Sequence, residues 1–293
     1  MATSALIQLG ADDVATALDG VDLIDTMAAK LAAGMADGAG PQSGPDVRLA
    51  RWRGRTTASQ PGAEWVVLEH LPTGPLCVLH SLSLMASYSA AVTALAARTL
   101  LAPGPVTVAI LGSGPAARLQ MVVITRHLRG VARIVVWPGR DKGGSAIEAS
   151  LLDQVDLAGI QIVVAAAVEE AVAAANLVVA VDSTPERIDI GALAKGSLVV
   201  NATGLGWSAG LVGAADQLFV DDVSLLKHHR DRLAGRPVDA DLGQVLVGHH
   251  AGRTDRDHVV LMELLGCDVL DVQLAGLLHR VAIERALGTR LPG

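Results

Sequence analysis

The stretch that decides the fold runs from Val106 to Ala117 and reads VTVAILGSGPAA, followed by the helical pattern RLQMVVITRHL. Six apolar or β-branched residues end abruptly at Gly112, which predicts a buried strand and a tight turn into a helix. In such a unit Gly112 permits the turn, Gly114 lets the backbone approach a pyrophosphate, and Ala117 lets the helix pack closely on the strand. The stretch therefore predicts a dinucleotide-binding turn, with an ordinary glycine-rich turn as the alternative.

On the carboxyl side of this turn, strands and helices alternate. Apolar runs predict strands at ARIVVW, IQIVVA, NLVVAV, SLVVN and QLFVDD, and helical patterns separate them. This order is typical of the α/β class with a Rossmann-type, doubly wound parallel sheet. We expect the Rossmann domain to span residues 102–264. At its first turn, the residues expected to hold the cofactor are Gly112, Ser113, Gly114, Pro115, Ala116 and Ala117.

The amino-terminal part has a different pattern. Residues 1 to about 45 show helical periodicity, and the runs RLARW, EWVVLEHL and PLCVLHSL then predict an antiparallel meander. An Ala-rich helix from Leu84 to Leu101 leads into the Rossmann domain, and Asp255 to Leu287 is predicted to be helical again. We therefore expect a smaller α+β domain built from residues 1–101 and 265–293.

Composition excludes several classes of protein. The 293 residues are 51% hydrophobic but 2% aromatic, which favours helices on buried parallel strands over an aromatic-rich β-sandwich. A net charge of −7 predicts no binding of nucleic acid or of anionic membranes. The two cysteines exclude a disulfide-rich secreted scaffold and a multi-cysteine zinc site, and no metal is expected. Without a basic, apolar leader pattern at its start, the protein is expected to be cytoplasmic.

The segment after the second Rossmann strand bears on the choice of cofactor. After Trp137 the chain reads PGRDK, so no carboxylate follows the strand directly, whereas Arg140 and Lys142 suit a 2′-phosphate. The pattern favours NADP(H), with NAD(H) as the alternative because Asp141 lies between the two cations, which could also be solvated loop residues.

Polar residues at the ends of later strands are further candidates for cofactor binding. Ser183 and Thr184 follow the strand NLVVAV, where hydroxyls can orient a nicotinamide ring, and Asn201 ends the strand SLVVN. Asp222 ends the strand QLFVDD at the edge where ligands bind in such sheets. The alternative for Asp222 is a cap for the helix that follows.

From about Glu64 onward, the motifs and their order resemble the ornithine cyclodeaminase/mu-crystallin family. EWVVLEHLPTGPLCVLHSLSL resembles its strand–TG–strand hairpin, VAILGSGPAARLQ its nucleotide turn, and SLVVNATG one of its later strands. The tail from GHHAGRTDRDH onward resembles the closing helices of the family. The resemblance implies a homodimer whose amino-terminal domains pair, NAD(P)(H) in the Rossmann domain, and an amino- or imino-acid substrate in a cleft between domains.

The departures from the family pattern concern its chemistry. Where the family has an Arg-Thr-Ala-Ala motif whose Arg clamps the substrate carboxylate, this chain has Tyr88-Ser89-Ala90-Ala91. None of the four lysines lies where the family places its lysine pair, and Gly206 occupies the position of the acid–base Asp of cyclodeaminases. Deamination and cyclisation of ornithine are therefore not expected.

The remaining candidates for proton transfer are His80 and Tyr88. Either side chain could protonate an imine nitrogen while hydride adds to the carbon, although each could instead be a structural residue. The sequence thus favours NADPH-dependent reduction of a C=N bond in an atypical, amino-acid-derived small molecule. A redox-neutral cyclodeaminase-like lyase and a non-catalytic, NADP-dependent ligand-binding protein remain alternatives.

Overall fold

The computed structural model describes residues 6–19, 21–36, 46–53, 64–139, 159–173, 175–181, 188–266 and 268–291. The chain divides into two compact units, Met1–Tyr88 with Cys267–Gly293, and Ser89–Gly266. The first boundary falls inside a helix that runs from Ser81 to Leu100. The assignment of residues 1–101 with 265–293 and of 102–264 to separate functional domains stays a prediction.

The described strands and helices follow in chain order. The strands are β1 (Ile7–Leu9), β2 (Val47–Arg51), β3 (Trp65–His70), β4 (Gly74–His80), β5 (Val106–Leu111), β6 (Val131–Trp137), β7 (Gln161–Val164), β8 (Leu177–Ala180), β9 (Leu198–Asn201), β10 (Gln217–Val220), β11 (Ala240–Asp241), β12 (Val260–Glu263) and β13 (Thr289–Arg290). The helices are α1 (Ala11–Leu18), α2 (Leu23–Ala36), α3 (Ser81–Leu100), α4 (Gly114–His127), α5 (Val168–Ala173), α6 (Ala209–Ala214), α7 (Leu226–His229), α8 (Leu242–Leu246) and α9 (Asp268–Arg285). No helix within the described ranges is long and apolar enough to cross a membrane.

The first unit is built on a five-stranded sheet in the order β13-β1-β4-β3-β2. Strands β2, β3 and β4 form the antiparallel meander expected from the sequence. Strand β1, however, lies within the amino-terminal region that was predicted to be helical, and it pairs parallel to β4 and antiparallel to β13. Its three residues are too few to show a strand period, which explains why the pattern of the longer neighbouring helices dominates the sequence there.

The second unit is built on an eight-stranded sheet in the order β7-β6-β5-β8-β9-β12-β10-β11. All of its strand pairs are parallel. The middle strands are buried along their whole length, as expected for a parallel sheet covered on both faces. The first five strands have the Rossmann order, in which the direction of winding reverses between β5 and β8. The α/β, Rossmann-type fold class predicted from the sequence is confirmed.

One strand of this sheet corrects the sequence analysis. Residues 255–287 were predicted to be helical, but Val260–Glu263 form β12, inserted between β9 and β10. A run of four buried residues, three of them apolar, cannot be assigned to strand or helix from its periodicity, and an adjacent long helix favoured the wrong choice. The insertion pairs Glu263 with Asn201 on one side and with Val220 on the other.

Candidate active site

The glycine-rich turn has the backbone that its sequence predicts. Gly112 has φ +141° and Gly114 has φ +75°, both in the region where a side chain is strained. A Cβ atom on Gly114 would meet no atom within 4 Å, so the space over this turn is open. Ser113 lies between the two glycines with extended backbone and is the N-cap of α4. The turn thus has the conformation and the clearance that a pyrophosphate needs.

Helix α4 carries the rest of the motif. Pro115 stands in its first turn, where its missing N–H costs no hydrogen bond, and Ala116 is half-buried. Ala117 is buried, as its predicted role in close packing of helix and strand requires. Farther along, Gln120 is buried and its Nε2 donates to Ser89 Oγ of α3 at 2.9 Å. The helix is therefore fixed with its N-terminus at the point where the sheet reverses its winding.

Asn201 ends β9 and is fully buried. Its Nδ2 donates to the Leu205 carbonyl oxygen at 2.6 Å and to Glu263 Oε2 at 2.7 Å. Its Oδ1 accepts from the backbone N–H and the hydroxyl of Thr203 at 3.1 and 2.8 Å. These bonds use the two donors and two acceptor positions of the amide. The side chain thus organises the segment that follows it, residues 202–207, which we call the β9 loop.

Glu263 is a buried carboxylic acid that the sequence analysis did not identify. It is fully buried, and its two oxygens accept from Asn201 Nδ2 and Arg232 Nη2. Burial raises the pKa of Glu263 to about 8, although Arg232 and Asn201 favour the charged form, and the Asp221 carboxylate adds to the increase. The signal in the sequence was an acid inside the apolar run VVLMELLG, and the helical interpretation of that run concealed it.

Asp222, predicted to bind the cofactor, lies at the carboxyl end of β10. Its Oδ1 accepts from Ser224 N at 2.8 Å and caps the 3-10 turn Val223–Leu225. Three strands separate β10 from β5, which at a usual spacing corresponds to about 19 Å. The neighbouring Asp221 accepts from the backbone N–H groups of Leu265 and Gly266 at 2.9 and 3.0 Å. The described contacts match the capping role, and a cofactor contact by Asp222 stays a prediction.

In the first unit, His80 is the last residue of β4. Its Nδ1 lies 2.8 Å from Ser83 Oγ, and its ring meets that of Trp65 edge-on at 5.5 Å. Burial lowers the pKa of His80, so its neutral form dominates at pH 7. A neutral imidazole is prepared to accept a proton, and the imidazolium that results can then donate it to a substrate.

Tyr88 and His70 have different surroundings. Tyr88 lies on α3 and is 4% exposed, which suits a hydroxyl that donates a proton in surroundings shielded from water. His70 lies at the other end of the β3–β4 hairpin from His80, because it pairs with Gly74 whereas His80 pairs with Trp65. Its Nδ1 lies 2.7 Å from Thr73 Oγ1, so His70 stabilises the turn.

Four predicted cofactor residues, Arg140, Lys142, Ser183 and Thr184, lie outside the described residues. Their roles remain expectations from the sequence.

The fold and the glycine-rich turn define a Rossmann-type α/β protein with a second α+β unit. The sequence model of the ornithine cyclodeaminase/mu-crystallin family matches residues 52–286. The chain therefore belongs to the ornithine cyclodeaminase/mu-crystallin family.

Three proteins are similar to this chain over most of its length. N-((2S)-2-amino-2-carboxyethyl)-L-glutamate dehydrogenase of Staphylococcus aureus is 24% identical over 229 residues, which cover 74% of this chain and 67% of that protein. The crystal structure of CmnK has a TM-score of 0.76 at 22% identity and covers 99% of this chain and 98% of its own. Thermococcus litoralis Δ1-pyrroline-2-carboxylate reductase, solved with NADH and L-proline, has a TM-score of 0.71 at 15% identity and covers 98% and 100%. At these identities the solved structures show the shared fold.

Proposed function

We propose that this protein is an NAD(P)(H)-dependent oxidoreductase that reduces the C=N bond of an amino-acid-derived small molecule. The observation that carries the proposal is the turn from Gly112 to Ala117, whose two positive φ angles and open space fit a pyrophosphate. Membership of a family whose name includes cyclodeaminases, together with relatives named as a dehydrogenase and a reductase of amino-acid derivatives, supports the reaction class.

Different residues of this chain have different roles in the proposed reaction. The backbone N–H groups at the start of α4 hold the pyrophosphate, and the helix dipole favours its negative charge. When bound, the nicotinamide supplies the hydride. The β9 loop is two strands away from β5 at the same edge of the sheet, where the other half of a dinucleotide extends in Rossmann domains. His80 and Tyr88 are the proposed proton donors, and Arg140 and Lys142 the proposed contacts to a 2′-phosphate of NADPH.

The proposed reaction balances with one proton and one hydride. An imine R₂C=N–R′, NADPH and a proton give the amine R₂CH–NH–R′ and NADP⁺. The name of the Staphylococcus aureus relative describes a glutamate whose nitrogen carries a carbon substituent, that is, a secondary amine. A substrate of that kind suits a chain with Tyr88 in place of the carboxylate-binding Arg, because it is larger than a free amino acid and offers other points of contact.

A redox-neutral cyclodeaminase activity is the second candidate, because the family includes cyclodeaminases. Position 206, where those enzymes carry their acid–base Asp, is a Gly in this chain. A Cβ atom there would lie 3.1 Å from Arg232 Cα and 3.3 Å from the Arg232 carbonyl oxygen. Packing of this kind leaves little room for an Asp, which counts against the cyclodeaminase chemistry.

One assay separates the candidates. The protein is incubated with NADPH, or with NADH, and a panel of cyclic and N-substituted imino acids, while the nicotinamide absorbance is followed and products are analysed. Net oxidation of the nucleotide supports the reductase. Product without net oxidation supports the cyclodeaminase, and nucleotide binding without product supports a ligand-binding protein. Tighter binding of NADH than of NADPH would refute the preference for NADPH.

A further inference from the structure

Asn201 and Arg232 fix the two ends of the β9 loop. At the start of the loop, the side chain of Asn201 binds Thr203 and Leu205, as described above. At its end, the backbone N–H of Trp207 donates to the Arg232 carbonyl oxygen at 3.3 Å, and Gly206 packs against the Arg232 backbone. The two anchors belong to different elements, since Asn201 ends β9 and Arg232 lies in the 3-10 segment Arg230–Leu233.

Glu263 connects these two anchors. Its Oε2 accepts from Asn201 and its Oε1 from Arg232, whose Nη2 also donates to the Leu264 carbonyl oxygen at 3.1 Å. The Glu263 side chain is 0% exposed and that of Arg232 is 15% exposed, so water does not screen the pair. Losing the carboxyl group would leave both donors without this shared acceptor.

Two buried donor atoms destabilise the closed conformation of the β9 loop. Trp207 Nε1 and Arg232 Nε are buried, and neither has a hydrogen-bond partner among the described residues. A buried donor without a partner costs about 1–3 kcal/mol. Leu205, at the tip of the loop, is 56% exposed, whereas Trp207 at its end is 5% exposed and packs in the core, so apolar burial opposes opening at Trp207 and hardly at all around Leu205. A loop held by one buried carboxyl group against such costs is suited to open and close.

We propose that Glu263 is a positioning residue, whose contacts to Asn201 and Arg232 hold the β9 loop closed at the carboxyl edge of the sheet, so that the loop opens only as Glu263 becomes hydrated. The consequence for cofactor affinity rests on the proposed function. The contacts themselves do not depend on it.

The direction of the pH effect follows from proton linkage. Charged groups that act on Glu263 are Arg232 of the 3-10 segment and Asp221, which directly follows β10, and burial leaves the pKa near 8 in the closed state. Hydration on opening returns the pKa toward its ordinary value of about 4.3, so opening releases a proton between these two values. Higher pH therefore favours the open loop, by up to about tenfold per pH unit, until the effect levels off near pH 8.

The test is hydrogen–deuterium exchange of the full protein without nucleotide from pH 5.5 to 9, corrected for intrinsic exchange rates. We expect protection of the β9 loop to fall with pH and level off near 8 in the wild type, while β5 stays protected. In Glu263→Gln the protection should not depend on pH. Asp241→Asn is the matched control, because Asp241 is a buried acid on the same edge that instead caps α8. It should keep the wild-type slope.

Arg232→Gln serves if Glu263→Gln does not fold. Loss of the cation that favours the charged carboxylate should raise the pKa of Glu263, so the levelling-off moves above pH 8. A wild-type loop whose protection is independent of pH, or a slope that persists in Glu263→Gln, would overturn the proposal. So would an unshifted curve in Arg232→Gln.

A second measurement separates this inference from the proposed function. The dissociation constant of NADPH is titrated over the same pH range, and it should increase with pH in the wild type and stay flat in Glu263→Gln. If NADPH does not bind but the exchange slope appears, the proposed function fails and the role of Glu263 stands. If NADPH binds and is oxidised but the exchange slope is absent, the role of Glu263 fails alone.

Discussion

The two halves of the parallel sheet, β5 to β9 and β10 to β12, could not be predicted equally well from the sequence. Strands β5 to β9 take the usual Rossmann order, which their succession along the chain predicts, and a glycine-rich turn follows the first of them. From β10 to β12, chain order and spatial order diverge, because β12 enters between β9 and β10. The first half brings the cofactor motif, and the second brings the buried acid that supports the β9 loop. Local patterns predict the first, whereas the second depends on contacts between residues about 60 positions apart.

The largest expected effect concerns the first half. Gly114→Val should abolish NADPH binding, with a loss of at least about a hundredfold, because a β-branched residue resists φ +75° and fills the space over the turn. Fluorescence titration is a direct measurement, since Trp137 lies at the end of the adjacent β6. The matched control is Gly235→Val, which has the same φ of +75° and equally open surroundings. If Gly114→Val binds as the control does, the turn is not the cofactor site.

Arg253 lies at the amino ends of β9 and β12 and connects the two halves of the parallel sheet. Its guanidinium donates to the carbonyl oxygens of Leu100 at 2.6 Å and Ser197 at 3.1 Å, and also to that of His258. Arg253→Gln should lower the free energy of unfolding by about 3 kcal/mol, because buried carbonyls lose their donor. Chemical denaturation measures this.

Arg256 provides the control for this prediction. Its side chain is 87% exposed, so Arg256→Gln should change the stability by less than about 0.5 kcal/mol. Equal losses in the two variants would mean that Arg253 does not join the halves of the sheet.

The buried acid of the second half makes the stability of the whole unit depend on pH. The folded pKa of Glu263 is about 8 and the unfolded pKa about 4.3, so the folded state binds the extra proton between them. The stabilisation is full below the unfolded pKa and is lost as pH rises toward 8, at about 1.4 kcal/mol per pH unit. Denaturation midpoints of the wild type and Glu263→Gln at pH 5, 6, 7 and 8 should converge or cross accordingly. A constant difference between them would contradict the assignment.

The smallest effect sharpens the difference from the cyclodeaminases. Gly206→Asp should lower the unfolding free energy by about 1–2 kcal/mol, because the new side chain must displace the Arg232 backbone. It should not confer release of ammonia from ornithine, which an ammonia assay measures. Gly210→Asp is the control, since a Cβ atom there meets nothing within 4 Å. A stable Gly206→Asp protein that deaminates ornithine would revive the second candidate function.

A feature could be predicted from the sequence when the residues that produce it lie close together along the chain. The turn from Gly112 to Ala117 and the strands of the first half are readable because each is one short pattern. Asp222 could be seen to end a strand and to be a candidate cap, because the backbone N–H that it caps is only two residues away. Asn201 was selected for cofactor binding, yet its partners include Glu263, 62 positions later, which no periodicity reveals. Gly206 was noticed as a missing Asp, and only the fold shows what packs against it.

The position of β12 also has a consequence for the order of events during synthesis. When the ribosome has released the chain through β10, strand β9 still has an unpaired edge, because its neighbour is residues 260–263. The pair β10–β11 can form earlier but has nothing to join until β12 arrives. The nascent protein must therefore keep an apolar strand edge exposed until residues 260–263 have been made. Folding of this unit should be late and slow, and a chaperone that covers strand edges should increase its yield.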